Sequence, residues 1–166
     1  MSRRCTIDQG AAAGVSEPAL DLDRLQILVD AACARDGLDQ VHLGIHWVDD
    51  AESAHLHATH FDDPTTTDVM SFPDGSRDPA TGRVLLGELA VCLDVARRES
   101  TRRHVPEQDE LLLYVLHGLL HLLGHDDVDP DDRREMWAIQ HDVLAQIGIA
   151  LDPEDADSAA EDDPHE

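Results

Sequence analysis

His117 and His121 stand four residues apart in an otherwise apolar run, Leu111 to Leu123, which Gly124 closes and His125, Asp126 and Asp127 follow. Residues four apart on an α-helix differ by about 40° in azimuth and about 6 Å in rise, so both imidazoles leave one face, one above the other. One divalent cation can bridge such a pair. A continued helix would carry His125 about 12 Å beyond His117, too far for bonds of roughly 2 Å. Gly124 supplies the stop, because glycine readily takes the left-handed conformation that ends a helix and lets His125, Asp126 or Asp127 fold back toward the pair. A lone histidine on an apolar helix is more often a hydrogen-bonded core residue than a ligand. Two of them, one turn apart among few polar neighbours, would be costly to bury without partners. Three protein ligands with one open position is the usual count for a catalytic zinc.

The run His117-Gly-Leu-Leu-His121-Leu-Leu-Gly124-His125-Asp126-Asp127 resembles the signature H-G-x-L-H-L-x-G-x-D-H of the YbeY family, bacterial single-domain endoribonucleases. Thr67-Asp-Val-Met-Ser-Phe72 is similar to the family strand T-D/N-V-L-S-F, and Leu86-Gly-Glu-Leu-Ala-Val-Cys92 to its L-G-D-I-V-I-C strand. The resemblance runs from about Val41 to Gly148. It implies one zinc per chain and a metal-dependent single-strand endoribonuclease acting in 16S rRNA 3′-end maturation and ribosome quality control. The partners it implies are rRNA or the small ribosomal subunit, with ribosomal proteins or a ribosome-associated GTPase. The family's third ligand histidine falls at Asp127, so the implied ligands are His117, His121 and Asp127, with His125 the rival third. Zinc accepts an aspartate oxygen at about the same distance as a histidine nitrogen. A second departure is at Phe61, where family members often carry an arginine. Beside the metal cleft the resemblance places Ser71, Asp68 and Glu88 as groups for substrate or for support of the site.

Two other classes compete. The helix also matches the spacing of the metallopeptidase pattern H-E-x-x-H-x-x-G-x-x-H, but Gly118 replaces the glutamate that serves as general base, and glycine moves no proton. A non-catalytic ribosome-assembly factor with a structural zinc is the other alternative. For the nuclease the candidate general bases are His125, Asp126 and Glu88, and no one of them is singled out.

The elements that must position these groups fit one domain of α+β class, a small mixed sheet of three or four strands with packed helices and the histidine helix buried at its centre. The 166 residues divide into a flexible lead-in over 1–20, the domain over 21–150 and an acidic disordered tail over 151–166. Leu22, Leu25, Leu28, Val29 and Ala32 recur at helical spacing, and Gly37 stands where a helix should stop. Val41 to Val48 alternates as a strand, with Val41, Leu43, Ile45 and Trp47 on one face and His42 and His46 on the other. Asp49 or Asp50 caps a helix to about Phe61 that carries His55, His57 and His60 at a spacing that does not gather them. Strands follow over 67–72 and 84–93, then a helix over 94–103. Pro106 and its acids open the histidine helix, and Asp129-Pro130 opens a last helix whose inner face is Met136, Ile139, Val143, Leu144 and Ile147.

Charge opposes the nuclease reading in part. The net charge is −24, from 36 acids against 12 bases, whereas nucleic-acid affinity rests largely on cations that neutralise phosphates. Asp152 to Glu166 alone carries eight acids. Arg97, Arg98, Arg102 and Arg103 form the densest basic cluster, either a stripe for a phosphate backbone or a solvated face paired with acids. Cys5, Cys33 and Cys92, odd in number and widely spaced, argue against a disulfide framework. With no apolar run near membrane-spanning length and no secretory segment, a cytoplasmic protein is expected.

Overall fold

The structure, a computed structural model, describes residues 5–151. Four strands, β1 (Cys5–Ala11), β2 (Val41–Val48), β3 (Val69–Pro73) and β4 (Val84–Cys92), form one mixed sheet. They lie in the order β1-β2-β4-β3. β1 and β4 run parallel to β2, and β3 is antiparallel to β4. The helices are α1 (Leu22–Arg35), α2 (Asp50–Phe61), α3 (Leu93–Arg103), α4 (Glu107–Leu122) and α5 (Pro130–Ala145). The α+β expectation holds, with the sheet at four strands.

Three of the five helices begin at an aspartate that satisfies free N–H groups, whereas α3 and α4 start without a side-chain cap. Asp21 accepts from the N–H groups of Asp23 and Arg24 at the start of α1. Asp49 accepts from Glu52 N–H at α2, and Asp129 from Asp131 N–H at α5, with Pro130 just inside. The alternation of β2 sends Val41, Leu43, Ile45 and Trp47 into the main core, where side chains of α1, α4 and α5 meet them. α2 covers the other face, where Leu56 and Phe61 pack on Val48, Met70, Ala90 and Cys92.

The lead-in expectation is corrected at β1. Cys5–Ala11 pairs in register with β2, from Cys5 opposite Val41 to Ala11 opposite Trp47. Its sequence, CTIDQGA, buries only Cys5 fully, so the pattern is too weak for a strand by itself; pairing with β2 organises it. The far boundary also moves. Leu151 is buried in the main core, so the acidic tail does not start there; the remainder of the expected tail, 152–166, lies outside the described residues.

α4 is buried almost all round, as its composition requires. It presses on the sheet at Gly118, where a Cβ would lie 2.8 Å from Leu89 Cδ2 and 2.9 Å from Val69 Cγ2. Ser71 Oγ donates to the Gly118 carbonyl at 2.9 Å and ties strand to helix. Gly118→Ala must therefore displace the Leu89 and Val69 side chains or α4 itself, and overpacking of this kind costs about 1–3 kcal/mol. The check is urea denaturation, in which an unchanged midpoint would show that the contact yields freely.

Candidate metal centre

α4 ends in a double hydrogen-bonded turn that builds the site. Gly124, at φ 98°, donates to the His121 carbonyl, and His125 N–H reaches back to the Leu120 carbonyl at 2.9 Å. This pair of bonds is the Schellman closure, and it needs the left-handed residue that glycine supplies. The reversed chain then brings Asp127 over the histidine face. His117 Nε2 and His121 Nε2 lie 3.2 Å apart, and Asp127 Oδ2 is 3.5 Å from the first and 3.7 Å from the second. Three donors around one tetrahedral cation with bonds of about 2.0–2.1 Å would be separated by about 3.3 Å. Among the described residues, His117, His121 and Asp127 are the one group of three such side chains gathered closely enough to hold a metal ion.

The hydrogen bonds behind the rings fit that use. His121 Nδ1 lies 3.1 Å from the His125 carbonyl oxygen, which can only accept. His117 Nδ1 lies 2.8 Å from Gln140 Oε1 of α5. With each Nδ1–H donated outward, each neutral ring turns an Nε2 lone pair toward Asp127. The three side chains are only 11–14% exposed. Burial opposes ionisation of Asp127, but when the two imidazoles are protonated the His121 hydrogen bond and both ring charges outweigh it and hold the carboxyl below its ordinary value. The donor set, two imidazoles and one anionic carboxylate, suits a borderline-soft divalent ion.

The other expected groups are dispersed. His125 turns away from the pair, its Nε2 2.9 Å from Asp36 Oδ2 at the end of α1. Asp126 accepts from the N–H groups of Asp127 and Val128 and shapes the turn. Glu88 faces the α2 side of the sheet, its Cγ 3.1 Å from where a Cβ on Gly44 would stand, while the next residue, Leu89, meets Gly118 on the α4 side. Ser71 anchors α4, and Asp68 accepts from Val69 N–H. His42 pairs with Thr6 and Asp8, His57 with the Thr65 carbonyl, and His60 meets the Phe72 ring edge-on. Phe61, at the register of the family arginine, packs in the apolar cluster under α2.

Gln140 and the His125 carbonyl are the groups that sequence reasoning missed. The second carries no sequence signal, because any residue has a carbonyl. The first had one: Gln140 interrupts the apolar inner face of α5 between Met136 and Val143 and is 6% exposed.

A mixed sheet backed by a buried helix with paired histidines, and a turn that returns a carboxylate to them, defines the architectural class of this chain. The sequence model described as Endoribonuclease YbeY matches residues 15–148, and the chain belongs to that family of endoribonucleases. Endoribonuclease YbeY of Clavibacter sepedonicus is 39% identical over 145 residues, covering 82% of this chain and 93% of the relative. That of Thermobifida fusca is 40% identical over 118 residues, covering 68% and 76%. A solution structure from Thermotoga maritima shares the fold at a TM-score of 0.60 and 23% identity, over 96% of this chain and 97% of the other.

The basic cluster on α3 resolves into ion pairs. Arg97 meets Asp94 and Glu107, Arg98 meets Asp50, Arg102 meets Glu99, and Arg103 meets the buried Glu110. The Arg98 hydrogen bonds hold the Asp50 carboxyl below the usual aspartate range, against a smaller opposing effect of burial. A carboxyl depressed in the folded state adds stability above its unfolded pKa of about 3.9, and that stability is lost as pH falls through the folded value. The pair is 57% and 41% exposed, so solvent screens it and the effect on stability is small. In a carboxyl carbon NMR titration, Asp50 should titrate below ordinary aspartates and move up toward them in Arg98→Gln. An unmoved midpoint would detach the shift from the guanidinium.

Proposed function

We propose that this chain is a metal-dependent single-strand endoribonuclease in which His117, His121 and Asp127 hold one zinc. The observation that carries the reading is the convergence of two Nε2 atoms and one carboxylate oxygen, with both Nδ1 atoms engaged by carbonyl-type oxygens behind them. A divalent cation held there supplies Lewis acidity toward a phosphoryl oxygen or an attacking water. The protein's own part is to keep both rings in one tautomer and to keep Asp127 ionised. His125, Asp126 and Glu88 are held elsewhere in this arrangement, so the RNA 2′-hydroxyl or a water is the nucleophile without an assigned side-chain base.

The substrate supported by the family is RNA, and we place the activity in 16S rRNA 3′-end maturation and ribosome quality control. The corresponding partners are the small ribosomal subunit with its proteins or an associated GTPase. Three buried free cysteines fit a reducing, cytoplasmic setting. Among the described residues no helix is long and apolar enough to cross a membrane. The folded unit of the proposal begins at β1 rather than at residue 21.

A structural zinc in a non-catalytic assembly factor is favoured by one observation, that the four α3 arginines already have acidic partners. A zinc peptidase is disfavoured twice over: Gly118 carries no carboxylate, and its α-carbon faces Leu89 and Val69, where a glutamate side chain has no room.

Metal content of the purified full chain, measured beside RNA cleavage on the same samples, separates these readings. About one zinc per chain is expected, lost in His117→Ala and Asp127→Ala and kept in His125→Ala, with cleavage following the metal. Metal without cleavage would select the assembly factor, and no metal in any sample would end the metal-site reading. Product ends then name the nucleophile, a 2′,3′-cyclic phosphate for internal attack or a 5′-phosphate for water.

A further inference from the structure

His121 and His117 are supported by groups of different kinds. Behind His121 stands a main-chain carbonyl, which can only accept and leaves the ring one neutral tautomer, with the proton on Nδ1. Behind His117 stands a primary amide on another helix, 23 positions along the chain. An amide offers either an oxygen or an NH2, and the two differ only in what they face. With Oε1 toward the ring, His117 carries its proton on Nδ1 and presents a bare Nε2. With the amide reversed, its NH2 would donate to Nδ1, the ring proton would sit on Nε2, and that proton would stand between His121 Nε2, 3.2 Å away, and Asp127 Oδ2, 3.5 Å away. The first arrangement can bind a cation. The second blocks it.

We propose that Gln140 is a positioning residue that selects the metal-binding tautomer of His117, and that α5 thereby controls the readiness of a site whose donors lie on α4 and the turn after it. This rests on the metal-site reading above. The structure turns Oε1 of the amide toward the ring, and burial keeps the pair together: Gln140 is 6% exposed and lies on the apolar face of α5, with Met136 and Val143 on either side. A polar side chain in such a place keeps a hydrogen bond or loses its solvation outright. The amide also supports the ring without adding negative charge next to Asp127, the carboxylate already in the donor set.

The test uses the full chain as wild type, Gln140→Leu, Gln140→Met, Gln140→Glu and His117→Ala. Two quantities are read: zinc affinity by competition with a chromogenic chelator, and the ring-nitrogen NMR signals of His117 in metal-free protein at a pH where imidazoles are neutral. In the wild type and in Gln140→Glu, which keeps an acceptor, His117 should show the Nδ1–H form. In Gln140→Leu and Gln140→Met the Nε2–H form should gain, with zinc affinity lower by about 10–100-fold. Two apolar variants of different shape are included so that one misfolded protein does not remove the comparison. Zinc affinity held within about twofold in the apolar variants would overturn the proposal, as would an equal fall in Gln140→Glu, which would mean packing alone. If His117→Ala binds zinc as the wild type does, the metal-site reading itself fails, an outcome distinct from an inert Gln140 beside a functional His117.

Discussion

The hydrogen bond from His125 N–H to the Leu120 carbonyl is the contact on which the site depends. α4 is buried on nearly every side, and a buried helix that stops must still satisfy its last carbonyls. Gly124 lets the main chain do this itself, and the resulting reversal is what places Asp127 over His117 and His121. The His125 carbonyl, fixed by the same reversal, receives the Nδ1 proton of His121. One turn thus caps a helix, delivers a carboxylate and sets the protonation of a histidine. A residue with a Cβ at position 124 would strain all three together, because φ there is 98°.

The position of α4 on the sheet follows from a second glycine. At Gly118 helix and strands approach so closely that a methyl group has no room, and the Ser71 hydroxyl joins the same contact. The residue that argued against peptidase chemistry as an absence is therefore a positive requirement of packing. α5 closes the arrangement from the other side, placing Gln140 behind His117 and the rest of its inner face in the core. The donors are local in sequence, spanning His117 to Asp127, but their orientation comes from distant parts of the chain.

That division explains what could be read from the sequence. The helix pair, the stop at Gly124 and the return of Asp127 are local, set by helical period and one conformational preference, and the structure gathers those residues. Gln140 showed itself only as a polar break in an apolar face, and its partner is a matter of how two helices cross. Glu88 was placed near the metal by strand resemblance, yet strand alternation sends it to the opposite face from Leu89. β1 escaped notice because an edge strand with Asp8, Gln9 and Gly10 carries little period of its own, and its order comes from hydrogen bonds to β2. The arginines of α3 formed the stripe that their spacing required, but spacing is silent about the acids that neighbouring elements bring to them.

Those acids decide how RNA could meet this surface. Cations raise nucleic-acid affinity by releasing the counterions of phosphates, and a guanidinium already paired with a carboxylate gains only the difference between two anions. For Arg97, Arg98 and Arg102 the pairs are solvent-exposed, each worth little by itself, so a phosphate can replace the carboxylate at small cost. Arg103 differs, since its partner Glu110 is 2% exposed and would be left as a buried, unpaired charge if the guanidinium turned outward. The exchangeable part of the stripe is therefore the outer three arginines, while Arg103 and Glu110 hold α3 against α4. With a net charge of −24 and so few arginines to displace phosphate counterions, free RNA has weak purchase on this chain. A phosphate backbone can therefore meet α3 only by displacing Asp94, Asp50 or Glu99 from their arginines.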